Sequence, residues 1–184
     1  MMGAMRPFFI GGIPVRKNVR HLTHAALIAA LYVALTYLQN FLVPGSATFF
    51  IQFRVSEALC VLALFTPAAI PGLSIGCLLF NLSYSAALPL DFLVGTLATT
   101  LACSSMYLTR KITFGSIPFL SLLMPAFWNA LLVGWELAFH IGGGFWLNAA
   151  YVAIGEAAVL LILGTALYQV MVKRGIAARL FENR

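Results

Sequence analysis

Hydrophobic residues fill long stretches of the chain, and polar residues interrupt these stretches only briefly. Six stretches approach the length of about 20 residues that a helix needs to cross a bilayer core. The pattern therefore predicts an all-α integral membrane bundle of six transmembrane helices. The predicted spans run over residues 23–41, 50–66, 69–87, 89–109, 117–139 and 149–172.

Composition supports the membrane class. Of 184 residues, 62% are hydrophobic and 9% are charged, whereas a soluble domain is about half apolar and about a quarter charged. We therefore treat residues 1–184 as a single transmembrane domain, with a cytoplasmic N-terminal segment over 1–20 and a cytoplasmic tail over 173–184. The sequence has no Gly-rich phosphate loop, so we expect no ATP site within it.

The basic residues predict the orientation. Ten of the eleven Lys and Arg residues lie before the first span, between the fourth and fifth spans, or after the sixth span. With six spans, these three regions share one side of the membrane. Short loops rich in Lys and Arg stay in the cytoplasm, so both termini are predicted to be cytoplasmic. This distribution also accounts for the net charge of +6 without nucleic acid as a partner. The ten are Arg6, Arg16, Lys17, Arg20, Arg110, Lys111, Lys173, Arg174, Arg179 and Arg184.

Four of the five acidic residues lie inside or at the ends of the predicted spans. They are Glu57, Asp91, Glu136 and Glu156. An ionised carboxylate in hydrocarbon costs several kcal/mol, so each requires a partner, a water cavity or a ligand. In the predicted topology all four belong to the outer half of the bundle. The pattern therefore predicts a polar pocket open to the outside rather than a proton relay, which would need acids at both depths.

Arg54 and Glu57 share one helical face of the second span, which is short and which we expect protein to surround. They form either a structural ion pair or the wall of a ligand pocket. Asp91 begins the fourth span, where it can cap the helix and also stand at the pocket rim.

Further polar and aromatic residues belong to the same candidate site. Asn81 lies in the outer half of the third span, and Asn129 and Glu136 share one face of the fifth. Trp135 is either an interfacial residue or part of an aromatic wall against a planar ligand. The candidate substrate-binding residues are therefore Arg54, Glu57, Asn81, Asp91, Asn129, Trp135, Glu136 and Glu156.

The first span carries small residues at helical spacing, namely Ala25, Ala26, Ala29, Ala30 and Ala34. Small residues repeated every four positions let two helices approach closely in lipid. This face either packs inside the bundle or docks onto another membrane protein.

Other site chemistries find little support in the sequence. The three cysteines have no CxxC spacing and lie in apolar runs, so we read them as packing residues and expect no metal or cofactor. No zinc-protease or GxSG nucleophile motif is present, which argues against an enzyme. A self-sufficient secondary transporter would usually have repeated halves and more spans.

Several segments resemble the QueT-type family of substrate-binding (S) components of energy-coupling-factor (ECF) transporters. The matching segments are residues 51–59 (IQFRVSEAL), 72–81 (GLSIGCLLFN), 91–99 (DFLVGTLAT), Pro125 with 129–137 (NALLVGWEL), and 155–156 (GE). The similarity covers almost the whole membrane region.

The resemblance implies a six-helix protein in the cell membrane that captures its substrate from outside. It implies docking, through the small-residue face of the first helix, onto a transmembrane coupling subunit that two cytoplasmic ATPases drive. The implied substrate is a queuosine precursor, a deazaguanine base such as queuine or prequeuosine base. An S component for another vitamin such as cobalamin, and a stand-alone secondary transporter, remain the alternatives.

Overall fold

The computed structural model describes residues 15–44, 53–84, 88–114 and 117–181, and for residues 15–17 it describes the backbone alone. Within these ranges the chain is helical, apart from loops and one isolated bridge between Phe114 and Ile117. The predicted all-α class is confirmed. The helices are α1 (Val15–Leu42), a 3-10 helix (Val55–Leu64), α2 (Ala69–Ser83), α3 (Asp91–Thr109), α4 (Phe119–Leu122), α5 (Met124–His140), α6 (Phe145–Val159), a π-helical segment (Leu160–Gly164), α7 (Thr165–Lys173) and α8 (Ile176–Phe181).

Four helical stretches in the described ranges are long and apolar enough to cross a membrane. They are Asn18–Leu42, Asp91–Thr109, Phe119–His140 and Phe145–Lys173, which correspond to the predicted spans one, four, five and six. The predicted spans two and three correspond to shorter apolar helices, the 3-10 helix and α2. Residues 1–14, 50–52, 85–87 and 182–184 of the predicted segments lie outside the described residues.

The 3-10 helix lies at the centre of the bundle. It contacts α1, α2, α3, α6, α7 and the π-helical segment, and every residue from Ser56 to Leu64 is buried. Protein therefore surrounds this segment, as its short length and charged residues predict. A 3-10 helix rises about 2.0 Å per residue, whereas an α-helix rises about 1.5 Å. The 3-10 geometry therefore lets this short segment cross more of the core than an α-helix with the same number of residues would.

α1 and α2 approach closely because glycines of α2 face alanines of α1. A Cβ atom at Gly72 would lie 2.7 Å from the carbonyl oxygen of Ala25, and one at Gly76 would lie 3.0 Å from that of Ala29. A Cβ at Gly76 would also meet the Cβ of Tyr32 at 2.9 Å. The two backbones are therefore in contact, as small residues at helical spacing allow.

α5 and α6 form the second close pair. A Cβ atom at Gly134 would lie 2.7 Å from the Cα of Ala149. The predicted fifth span is not one continuous helix, because α4 ends before α5 begins at Met124. Pro125 lies in the first turn of α5. Backbone N–H groups in a first turn have no acceptor within the helix, so the missing N–H of proline costs no hydrogen bond there. This pairing sets Glu136 and Glu156 on adjoining helices.

Candidate functional site

Glu57 is completely buried and accepts two hydrogen bonds from side chains. The Tyr32 hydroxyl donates to its Oε1 over 2.7 Å, and the Cys60 thiol donates to its Oε2 over 3.1 Å. Both carboxylate oxygens therefore have donors within the bundle. These bonds fix Glu57 between α1 and the 3-10 helix, which favours the structural part of its predicted role.

A row of polar residues on α1 supports the approach to the 3-10 helix. The Thr36 hydroxyl donates to Ser56 Oγ over 2.7 Å. The Gln39 side-chain amide donates to the carbonyl of Phe53 and accepts from the backbone N–H of Val55 over 2.7 Å. The sequence analysis missed this row. Its signal is the spacing of Tyr32, Thr36 and Gln39 on one face of an otherwise apolar helix.

Arg54 lies at the centre of the charged residues and is 2% exposed. Its guanidinium approaches the Cys77 sulfur, with Nη1 3.9 Å from Sγ. It interacts electrostatically with each of the four membrane acids. The structure thus brings together five residues from four separate parts of the sequence. We call this set the carboxyl cluster: Arg54, Glu57, Asp91, Glu136 and Glu156.

Asp91 is the first residue of α3 and is 4% exposed. The residue in the cap position is Leu90, so Asp91 does not occupy the N-cap position that the sequence suggested for it. The Asn81 amide instead holds the start of α3 by donating to the Asp91 carbonyl over 2.9 Å. A Cβ at Gly95 would lie 2.8 Å from Asn81 Nδ2, so the glycine makes room for this amide.

Glu136 is completely buried, and neither carboxylate oxygen has a hydrogen-bond donor among the described residues. Asp91, which is also buried, interacts electrostatically with Glu136 from the start of α3. Two ionised carboxylates cannot donate to each other, so the pair forms a hydrogen bond only when it holds a proton. The His140 ring contacts the backbone carbonyl of Glu136 at 3.1 Å and leaves the carboxylate unpartnered.

Glu156 and Asn129 are among the other buried polar residues with an atom that lacks a hydrogen-bond partner within the described part of the chain. Glu156 is 1% exposed and its Oε2 accepts no hydrogen bond, while its carboxyl interacts electrostatically with Glu57 and Arg54. Asn129 is 2% exposed and its Nδ2 donates no hydrogen bond. Buried polar groups are nearly always paired, so these unpaired groups indicate a ligand or ordered water.

Trp135 does not join the buried set. It is 50% exposed and stacks on Phe139, with ring centroids 5.9 Å apart. It follows Gly134, which faces α6, and precedes Glu136, which faces inward, so its own direction is outward. This placement agrees with the interfacial alternative for Trp135.

The small residues of α1 divide between two faces. Ala25 and Ala29 are buried under α2, whereas Ala26, Ala30 and Ala34 are exposed. Only the exposed three are available to a second protein. We call them the α1 alanine stripe.

Within the described residues, no three His, Cys, Asp or Glu side chains are grouped in a way that could hold a metal ion.

Apolar helices of membrane-spanning length, packed around buried ionisable groups, define a multi-pass membrane protein with an internal polar site. The chain belongs to the QueT transporter family, whose model matches residues 22–173. The matched range contains the whole carboxyl cluster and the α1 alanine stripe. No curated protein and no solved structure gives a significant match to the chain.

Proposed function

We propose that this chain is the substrate-binding subunit of an ATP-driven ECF importer and that it captures a queuosine precursor from outside the cell. The observation that carries the proposal is the buried carboxylate of Glu136, which has no hydrogen-bond donor among the described residues and interacts electrostatically with Asp91. Membership of the QueT transporter family supports a transported queuosine precursor. Resemblance to S components supports the coupling to ATPases.

The chemistry of a deazaguanine base complements these unpaired groups. Its guanine-like edge presents adjacent N–H donors, which a carboxylate accepts in bidentate fashion. Glu136 and Glu156 offer buried oxygens that have no donor in the described ranges, and Asn129 offers a buried N–H for a ligand acceptor. A ligand with carboxylate or phosphate groups would instead prefer several basic residues, and the cluster contains only Arg54.

The proposal includes an orientation. With six helices and cytoplasmic termini, the loop around Gly142–Gly144 faces outward, close to Glu136 at the end of α5. Four residues separate Glu136 from His140, or about 6 Å along a helix. A solute from outside would therefore reach the Asp91–Glu136 pair before it reached Glu156.

Partner docking completes the proposed function. The α1 alanine stripe offers a smooth exposed surface of the kind that packs against a second helix in lipid. We assign it to the transmembrane coupling subunit, with two cytoplasmic ATPases supplying the energy.

Ligand identification tests the proposal. The purified chain in detergent is expected to bind queuine or prequeuosine base in isothermal titration, with riboflavin and cobalamin as controls. Mass spectrometry of the small molecule that copurifies should identify the same base. Binding of cobalamin without either base would make the chain an S component for another vitamin.

Liposomes containing the purified chain alone test the energy source. The chain alone is expected to bind the base without accumulating it, and the reconstituted complex is expected to accumulate it with ATP. Sustained uphill uptake by the chain alone would support a stand-alone secondary transporter.

A further inference from the structure

The carboxyl cluster contains more acid than its basic partner can neutralise. Four buried carboxyl groups face one guanidinium, so full ionisation would leave an excess of three negative charges among these residues. Unpaired buried charges are too costly to retain, and such groups bind protons or counter-ions instead.

Hydrogen bonding distinguishes the acids from one another. Glu57 has a donor for each oxygen and interacts electrostatically with Arg54, so its carboxyl group already has partners within the bundle. Glu136 has no donor for either oxygen in the described ranges, and its neighbour Asp91 is another acid. Two adjoining carboxyl groups in one site retain a proton between them.

We propose that the Asp91–Glu136 pair holds a proton in the empty protein and releases it to solvent when the ammonium group of an amine-bearing base binds between the two carboxylates. This inference rests on the proposed function and deepens it, because it makes the pair the subsite for a ligand ammonium group. The ammonium N–H groups donate to both carboxylates, and the positive charge of the ligand replaces that of the proton. The preferred substrates are therefore bases that carry an amine.

Two further charged or titratable residues, Arg54 and His140, lie near the Asp91–Glu136 pair. Arg54, which immediately precedes the 3-10 helix, interacts electrostatically with Glu136 and also with Glu57 and Glu156. His140 lies one turn after Glu136, and its ring contacts the Glu136 backbone carbonyl and the Phe139 ring. Since a histidine could release a proton near neutral pH, the experiment includes it as the matched control.

Isothermal titration in two buffers tests the exchange. The buffers have the same near-neutral pH and different ionisation enthalpies, so the difference in observed heat gives the number of protons released. An aminomethyl-deazaguanine is expected to release roughly one proton per base, the number that one shared site holds. A deazaguanine without the amine, titrated into the same parent protein, is expected to release none and to bind more weakly.

Substitutions test which residues hold the proton that is released on binding. Glu136→Gln, or Asp91→Asn if the first does not fold, is expected to abolish the buffer dependence, whereas His140→Gln is expected to retain it. Equal heats in both buffers with normal binding of the amine-bearing base would overturn this inference and leave the proposed function intact. Loss of proton release in His140→Gln would overturn it as well. Failure of every deazaguanine to bind would overturn the proposed function together with it.

Discussion

The Tyr32 hydroxyl donates a 2.7 Å hydrogen bond to Glu57, and both side chains are completely buried. This bond connects the longest helix to the central 3-10 helix. It also supplies the donor for Oε1 of Glu57, while the Cys60 thiol supplies the donor for Oε2. Glu57 therefore differs in role from Glu136, whose carboxylate oxygens accept no hydrogen bond from the residues that the structure describes.

Removal of the Tyr32 hydroxyl tests that structural role. Tyr32→Phe is expected to destabilise the fold by about 1–3 kcal/mol, because it leaves a buried carboxylate oxygen without its donor. The measurement is the apparent melting temperature in detergent. Tyr37→Phe is the matched control, since its hydroxyl also makes a 2.7 Å bond, to Ser83, but at a site that is 39% exposed. Equal losses in the two variants would contradict the assignment.

The close contact of α1 with α2 predicts intolerance of a methyl group at Gly72. Gly72→Ala is expected to cost about 1–3 kcal/mol, because the new Cβ would overlap the backbone of Ala25. Gly164→Ala is the control, since its Cβ would meet Val61 at an ordinary 3.4 Å and its φ of −62° is helical. The control is expected to keep or slightly raise the melting temperature. Similar losses in both would show that glycine as such, rather than the contact, matters.

The α1 alanine stripe predicts a variant that folds but does not assemble. Ala30→Leu is expected to weaken pull-down of the coupling subunit while binding of the base is retained, because the larger side chain separates the two helices. Ala150→Leu is the control, as it enlarges an exposed alanine on α6. Ala29→Leu is expected to harm the fold itself, since Ala29 lies under α2. Normal assembly of Ala30→Leu would remove the docking role of the stripe.

Cysteine labelling tests the orientation. Ile141→Cys is expected to react with a membrane-impermeant thiol reagent added outside intact cells, because Ile141 is half exposed and adjoins the loop assigned to the outside. It is preferable to the loop glycines, whose positive φ angles disfavour other residues. The parent chain is the control, since Cys60, Cys77 and Cys103 are buried. Labelling that requires permeabilised cells would reverse the orientation.

The sequence was sufficient to predict that the four acids and Arg54 belong together, because buried charges require partners. It could not show which acid has donors, since that depends on the helix faces that meet. Tyr32 is one aromatic residue among many in apolar spans, and only its pairing with Glu57 distinguishes it. Hydrophobicity alone was also sufficient to predict the long N-terminal α-helix.

Other features depend on packing that periodicity does not reveal. The Ala25–Ala29 and Ala26–Ala30 pairs have the same spacing, and only the position of α2 separates the buried pair from the exposed one. The 3-10 geometry of residues 55–64 likewise leaves no clear trace in an apolar run. The sequence left Trp135 open as an interfacial residue or part of an aromatic wall, and only the packing of α5 shows that it faces outward.

Affinity for the base in two amide variants tests the central claim most directly. Glu136→Gln and Glu156→Gln keep the side-chain shape but turn a carboxylate acceptor into an amide. Each is expected to lose roughly 1.5–3 kcal/mol of binding free energy, or about 10–150-fold in Kd for queuine or prequeuosine base, with the melting temperature retained. Isothermal titration on the detergent-purified chain measures both affinities against that of the parent. Unchanged affinity in both variants would contradict the account and would make these acids structural.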